Sequence, residues 1–150
     1  MATIDERFAA LERRIALLED QVAIYQLMAA YGPAADSGST DRATTLWAED
    51  GIYDLHSRVM TGRGEIAQGS GHIVSMPHVV VEGDQAVATC HSRLYRREGE
   101  AYRVISCSAN RWEFVRGARG WQVKRRISRR LDGSEGSHAL LAEGINARRT

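Results

Sequence analysis

Lysine is almost missing from this chain. Nineteen of its twenty basic residues are arginine, and Lys124 stands alone. Schiff-base and pyridoxal chemistry need a desolvated lysine of lowered pKa. Lys124 sits among arginines in an alternating stretch, a poor place for one. No G-x-G-x-x-G follows a strand-like run and no G-x-x-x-x-G-K-[ST] occurs, so nucleotide cofactors have no visible cradle. Metal-ligand spacing is equally missing, because His56, His72, His78, His91 and His138 form no H-x-H or H-E-x-x-H pattern. The expectation is a domain that works without metal or cofactor. The two cysteines, Cys90 and Cys107, make no C-x-x-C pair and read as buried thiols of a reducing compartment, which predicts a cytoplasmic location. No apolar run approaches the roughly 18 residues of a membrane span, and Met1–Glu6 lacks the basic-then-apolar order of a signal peptide. Charge of one sign is lacking too. Twenty basic against nineteen acidic residues leave +1, so neither nucleic acid nor an anionic membrane is an expected partner.

What is present is globular. The 150 residues are 43% hydrophobic and 26% charged, enough for one domain with a hydrophobic core and too few for two. Residues 3–31 read as one long helix. Ile4, Phe8, Leu11, Ile15, Leu18, Val22 and Tyr25 are spaced alternately by 4 and 3, a narrow seam of about three heptads. A helix on its own domain usually shows a wider stripe, so the first half (residues 1–25) is expected to meet a helix of another chain. That predicts a homo-oligomer of two or three copies. Gly32-Pro33 is expected to end or kink the helix, since proline lacks the N–H and clashes one turn back. A second helix is predicted over 40–49, burying Ala43, Leu46 and Trp47. A short strand at Gly51–Leu55 and at most two helical turns at Gly62–Gln68 follow.

From His72 onward the pattern is strand-like. Runs at 73–81, 86–96, 102–115 and 121–131 are separated by turns at Glu82-Gly83-Asp84, Glu98-Gly99-Glu100 and 117–120, the signature of an antiparallel meander. In the third run, Tyr102, Val104, Ser106, Ser108, Asn110, Trp112 and Phe114 share a face by period 2. In the last run, strict alternation puts Arg126 and Arg130 on one face, opposite Trp121 and Val123. The tail from 132 to 150 is Gly- and Ser-rich, with a weak helical patch at 139–143. Helices followed by a long-stranded sheet imply an α+β fold, with a bent antiparallel sheet and a pocket between its concave side and the helices.

The string Ala30-Tyr31-Gly32-Pro33-Ala34-Ala35-Asp36, followed by 46–54 (LWAEDGIYD), resembles the first half of SnoaL-like proteins of the nuclear-transport-factor-2-like superfamily. The segment 72–77 (HIVSMP), the turn region 79–86 (VVVEGDQA) and the closing 121–126 (WQVKRR) extend the resemblance over about residues 15–131. It implies a cone-shaped barrel of strongly bent antiparallel sheet with N-terminal helices across its concave side. By motif the chain resembles bile-acid 7α-dehydratases, scytalone dehydratase and hexachlorocyclohexane dehydrochlorinase within that family. Their His–Asp pair removes a proton while a leaving group departs, without cofactor. By position Asp36 matches the family aspartate, His72 the histidine and Tyr31 an assisting tyrosine.

Elementary chemistry fits those roles. An imidazole can act as general base near pH 7, and a carboxylate on its other nitrogen fixes the tautomer. Tyr31 can donate a hydrogen bond where enolate or leaving-group charge develops. Trp47, Tyr53, His91 and Arg126 are candidate pocket or substrate-binding residues. The expected substrate is a hydrophobic, oxygenated small molecule such as a steroid, terpenoid or aromatic polyketide. The main alternative is the same fold without turnover, as a ligand-binding or assembly module; a gap between His72 and Asp36 beyond hydrogen-bond reach favours that alternative. A third possibility, epoxide hydrolysis, needs Asp36, Arg126 and Asp54 together. The segment between Asp36 and His72 is shorter than in the family's enzymes, which leaves the pocket's roof thinner.

Overall fold

The computed structural model describes residues 2–38, 40–62 and 71–146. Helix α1 spans Ile4–Asp36. Thr3 starts it with a capping box: its hydroxyl accepts the Glu6 N–H at 3.2 Å while its own N–H donates to Glu6 Oε2 at 2.6 Å. The helix runs one turn past Pro33, whose carbonyl accepts the Ser37 N–H that closes it, so the expected stop at Gly32-Pro33 falls at Ser37 instead. Gly32 serves the packing. A Cβ there would lie 2.7 Å from the His72 carbonyl oxygen, so only glycine lets the helix come this close to the strand opposite.

Helix α2 is Thr40–Thr45, shorter than predicted, because Trp47 already belongs to strand β1, Trp47–Leu55. The strands that follow are β2 (Val59–Thr61), β3 (His72–Val74), β4 (His78–Glu82), β5 (Gln85–Glu98), β6 (Ala101–Gly117) and β7 (Gly120–Arg130). Helix α3, Glu135–Asn146, closes the described chain. The predicted run 73–81 is two strands, β3 and β4, both antiparallel to β5 and parted at Ser75–Pro77. The two-turn helix read at 62–68 lies almost wholly outside the described residues.

The sheet order is β2-β1-β7-β6-β5-β3, with β4 also on β5. The meander β5-β6-β7 is antiparallel as expected, but β1 runs parallel to β7. The α+β class with a long N-terminal helix is as expected; the sheet is mixed and not closed, where an antiparallel sheet bent into a cone-shaped barrel was expected. The turn signals could not show this, since they speak only to neighbours in the chain and β1 meets β7 across about half of the sequence.

Alternation gives the sheet two covered faces. On one, Ile24, Met28 and Tyr31 of α1 pack against Trp47, Trp112, Phe114 and Val123, all nearly or wholly buried. Each such side chain contributes about 1.5–3 kcal/mol by leaving water. On the other, α3 lies across β5, β6 and β7, and Gly144 comes so close to Thr89 that a Cβ would sit 1.8 Å from its hydroxyl. The tail is thus a full helix, where the sequence offered only a weak patch. The first half of α1 behaves differently. Its side chains from Leu11 to Glu19 are exposed, and it is first tethered to the sheet at Asp20. The Asp20 carboxylate accepts from Arg116 Nη2 at 2.5 Å and from Trp121 Nε1 at 3.1 Å.

Candidate functional site

Asp36 is the last residue of α1 and His72 the first of β3. Gly32 and Asp36 are four apart and share a helix face, so the close approach at Gly32 delivers the carboxylate to β3. Asp36 then grips His72 twice. Its Oδ1 lies 2.9 Å from His72 Nδ1, and its Oδ2 accepts the His72 backbone N–H at 2.7 Å. An ionised carboxylate only accepts, so a neutral imidazole holds its proton on Nδ1 and leaves Nε2 with a lone pair. The His72 side chain is 15% exposed and that of Asp36 30%.

Tyr31 stands edge-on to His72, with ring centroids 5.6 Å apart, and edge-on to Trp112 at 5.2 Å. Burial pushes its hydroxyl up to about 12, with the Tyr53 and Asp36 charges adding to the shift and Arg126 opposing it. At neutral pH it is a proton-bearing donor.

Beyond Tyr31 lies a cation. Arg126 is 1% exposed. Its guanidinium carbon sits 4.2 Å from the Trp112 ring centroid, 4.6 Å from Tyr53 and 4.9 Å from Tyr31, a three-sided aromatic box. Its Nε donates to Asn110 Oδ1 at 3.0 Å and its Nη2 lies 3.5 Å from Ser92 Oγ. Buried Nη1 has no partner among the described residues. Asn110 is held in turn by Ser92 Oγ at 2.8 Å and the Ser108 carbonyl at 3.1 Å.

Strict alternation set Arg126 opposite Trp121 and Val123, and the structure corrects this. Opposite Glu113 and Phe114, strand β7 carries one extra residue, Lys124, between Val123 and Arg125. This bulge resets the parity, so that Trp121, Val123, Arg126 and Ser128 are all buried, while Lys124 reaches outward to pair with Asp50. Arg130 is exposed.

These groups border a cavity of about 230 Å³. Tyr31, His72 and Arg126 line it with Tyr53, Leu55, Met60 and Leu94, and hydroxyls come from Ser92, Ser106, Ser108 and Ser128. Two expected lining residues are elsewhere. Trp47 packs behind Tyr53, with ring centroids 5.8 Å apart, and belongs to the core. His91 is exposed, because Cys90 and Ser92 take the inward positions of β5 on either side of it. Asp54 is tied to Arg125 and Arg129 at 3.2 and 2.8 Å, outside the cavity lining, and those bonds, Arg129's first, hold its carboxyl low against the effect of burial. The Asp–Arg–Asp set that epoxide hydrolysis needs is therefore not assembled.

Sequence reasoning missed Asn110 and Ser92 as the residues that orient Arg126. The available signal was one amide in the apolar stripe with Trp112 and Phe114. Among the described residues no three His, Cys, Asp or Glu side chains converge as a metal site, and no helix is long and apolar enough to cross a membrane.

Comparison with known proteins agrees with this architecture. No curated protein matches the chain. A nuclear-transport-factor-2-like protein with a cystatin-like fold from Novosphingobium aromaticivorans is 37% identical, over 94% of this chain and 98% of that one, with a TM-score of 0.84. A ketosteroid isomerase-like protein from Erwinia carotovora is 16% identical over 76% of this chain and 98% of its own, at a TM-score of 0.63. A superfamily protein from Salmonella enterica is 14% identical over 76% and 92%, at 0.64. The model of the SnoaL-like domain matches residues 16–127. The chain belongs to the SnoaL-like family of the nuclear-transport-factor-2-like superfamily.

Proposed function

We propose that this protein is a cofactor-independent lyase or isomerase, dehydratase-like, that takes a proton from carbon with the His72–Asp36 pair. The observation that carries the reading is the double grip of Asp36 on His72, which leaves Nε2 as the basic nitrogen of a residue lining the cavity. The 2.9 Å contact favours an enzyme over a binding module of the same fold. The proposed substrate carries a carbonyl. Nε2 takes the proton from the adjacent carbon, and the C–H electron pair moves towards the carbonyl oxygen as an enolate forms. Asp36 stabilises the imidazolium. Tyr31 is a donor for the enolate oxygen or the departing group, and the Arg126 guanidinium in the cavity wall adds positive charge beside it. In an elimination, the β-hydroxyl then leaves as water with the proton returned by the imidazolium; in an isomerisation the proton returns to another carbon. The cavity is smaller than the roughly 300–1,000 Å³ of most ligand pockets. That favours a compact oxygenated ring, such as a small terpenoid or aromatic polyketide, over a full steroid.

The test is deuterium incorporation. Cyclic ketones and enones incubated with the protein in D₂O are read by mass spectrometry for exchange beside the carbonyl. Wild type is expected to exchange a subset of the panel, and His72→Ala to lose about 10²–10⁴-fold with its melting temperature nearly unchanged. Equal exchange by wild type and His72→Ala sinks the reading, as does no exchange by wild type of any ketone shown to bind.

A further inference from the structure

We propose that the first half of α1 forms a parallel, two-stranded coiled coil with a second copy of this chain. Ile4, Phe8, Leu11, Ile15, Leu18 and Val22 are each at least half exposed, on a continuous helix that is tethered to its own sheet only from Asp20. An unbroken row of large apolar side chains left in water is the mark of a surface that meets a partner, so this stretch needs a cover.

The heptad phase says what the cover is. The 4-3 spacing puts Phe8, Ile15 and Val22 at a, and Ile4, Leu11 and Leu18 at d. Two of the three a residues (Ile15, Val22) are β-branched and two of the three d residues (Leu11, Leu18) are leucine, the combination that favours two parallel strands, with Phe8 and Ile4 outside it. The flanking charges agree. The g positions hold Arg7 and Arg14, and the e positions hold Asp5, Glu12 and Glu19. In a parallel pair, g faces the e position five residues on in the partner, so Arg7 meets the partner's Glu12 and Arg14 meets the partner's Glu19. An antiparallel pair would set arginine against arginine and carboxylate against carboxylate. The body of the domain leaves room for the partner. Asp20, which holds Arg116 and Trp121, occupies f, the side of the helix away from the seam. The two domains therefore sit on the outer sides of the coil.

Sedimentation of the whole protein at low salt is expected to give twice the 16.6 kDa chain mass. Arg7→Glu with Arg14→Glu, and separately Glu12→Arg with Glu19→Arg, each weaken self-association at least tenfold, and an equal mixture of the two variants restores the dimer. Ile4→Cys cross-links to itself on oxidation. None of these residues packs on the sheet, so unchanged thermal melting of the domain certifies each variant as folded. A monomeric wild type overturns the proposal. So does a dimer indifferent to the charge reversals and to Leu11→Asp, or an Ile4→Cys that links to Val22→Cys and not to itself.

Discussion

Replacing Gly32 by alanine puts two effects in opposition, and the structure says which wins. In a helix interior alanine is favoured over glycine by about 0.8–1 kcal/mol. The new Cβ, however, would sit 2.7 Å from the His72 carbonyl oxygen, about 0.7 Å inside the 3.4 Å of ordinary contact, and its neighbour is backbone that cannot swing aside. Overpacking of that kind costs about 1–3 kcal/mol. The net loss is up to ~2 kcal/mol, or a melting point lower by ~2–4 °C per kcal/mol for a domain of this size. The larger consequence is local. If β3 retreats by that amount along the Asp36 contacts, distances of 2.7 and 2.9 Å become roughly 3.4 and 3.6 Å, and both bonds are lost or nearly so. Proton–nitrogen NMR of the imidazole, with the D₂O exchange assay beside it, measures this directly. The expected result is loss of the hydrogen-bonded Nδ1–H signal and of most exchange, with only a modest fall in melting temperature. A more stable Gly32→Ala protein with the signal and exchange intact would refute the idea that this contact seats the pair.

Three further outcomes follow from the geometry. Tyr31→Phe keeps the ring packing and is expected to melt within a few degrees of wild type while slowing exchange about 10–10²-fold; because the phenol titrates only near 12, no alkaline limb from Tyr31 enters the exchange profile below pH 10. Asp20 is held below the ordinary carboxylate range, chiefly by its Arg116 bond and against burial. A lowered native pKa means stability present above the unfolded value of about 3.9 and lost as pH falls through the native one, so the melting gap between wild type and Asp20→Asn should be widest near neutrality and close in acid; a gap unchanged down to pH 2 contradicts this. Gly144→Ala drives a methyl into Thr89 and is expected to cost about 1–3 kcal/mol or to lift α3 from the sheet, seen as faster proteolysis at the C-terminal end, and resistance equal to wild type counts against it.

Much of this architecture is legible along the chain because its signals are local. The meander β5-β6-β7 is marked by turn residues, and the inward stripe of Asn110, Trp112 and Phe114 by simple alternation. Asp36 and His72 could be paired only through family resemblance, since nothing between them in the sequence reports that the end of a helix and the start of a strand touch. Non-local features stayed hidden. The direction of β1 depends on β7, more than 70 residues away, and the inward turn of Arg126 depends on Lys124 being set out of register. A histidine in mid-strand suits either face, and the inward packing of Cys90 and Ser92 turns His91 outward. The glycines of α3 weaken its helical signal in the sequence, while Gly144 is what lets it lie flat on Thr89.

The bulge at Lys124 also governs how this strand tolerates changes in length. With Lys124 deleted, Val123, Arg125 and Arg126 would fall into plain alternation, the ladder opposite Glu113 and Phe114 would become regular, and the guanidinium would still enter its aromatic box. A homologue one residue shorter at this point therefore keeps the interior arginine, and an alignment gap there marks no change of chemistry. Pulling the same strand straight with Lys124 retained would instead send Arg125 and Ile127 inward.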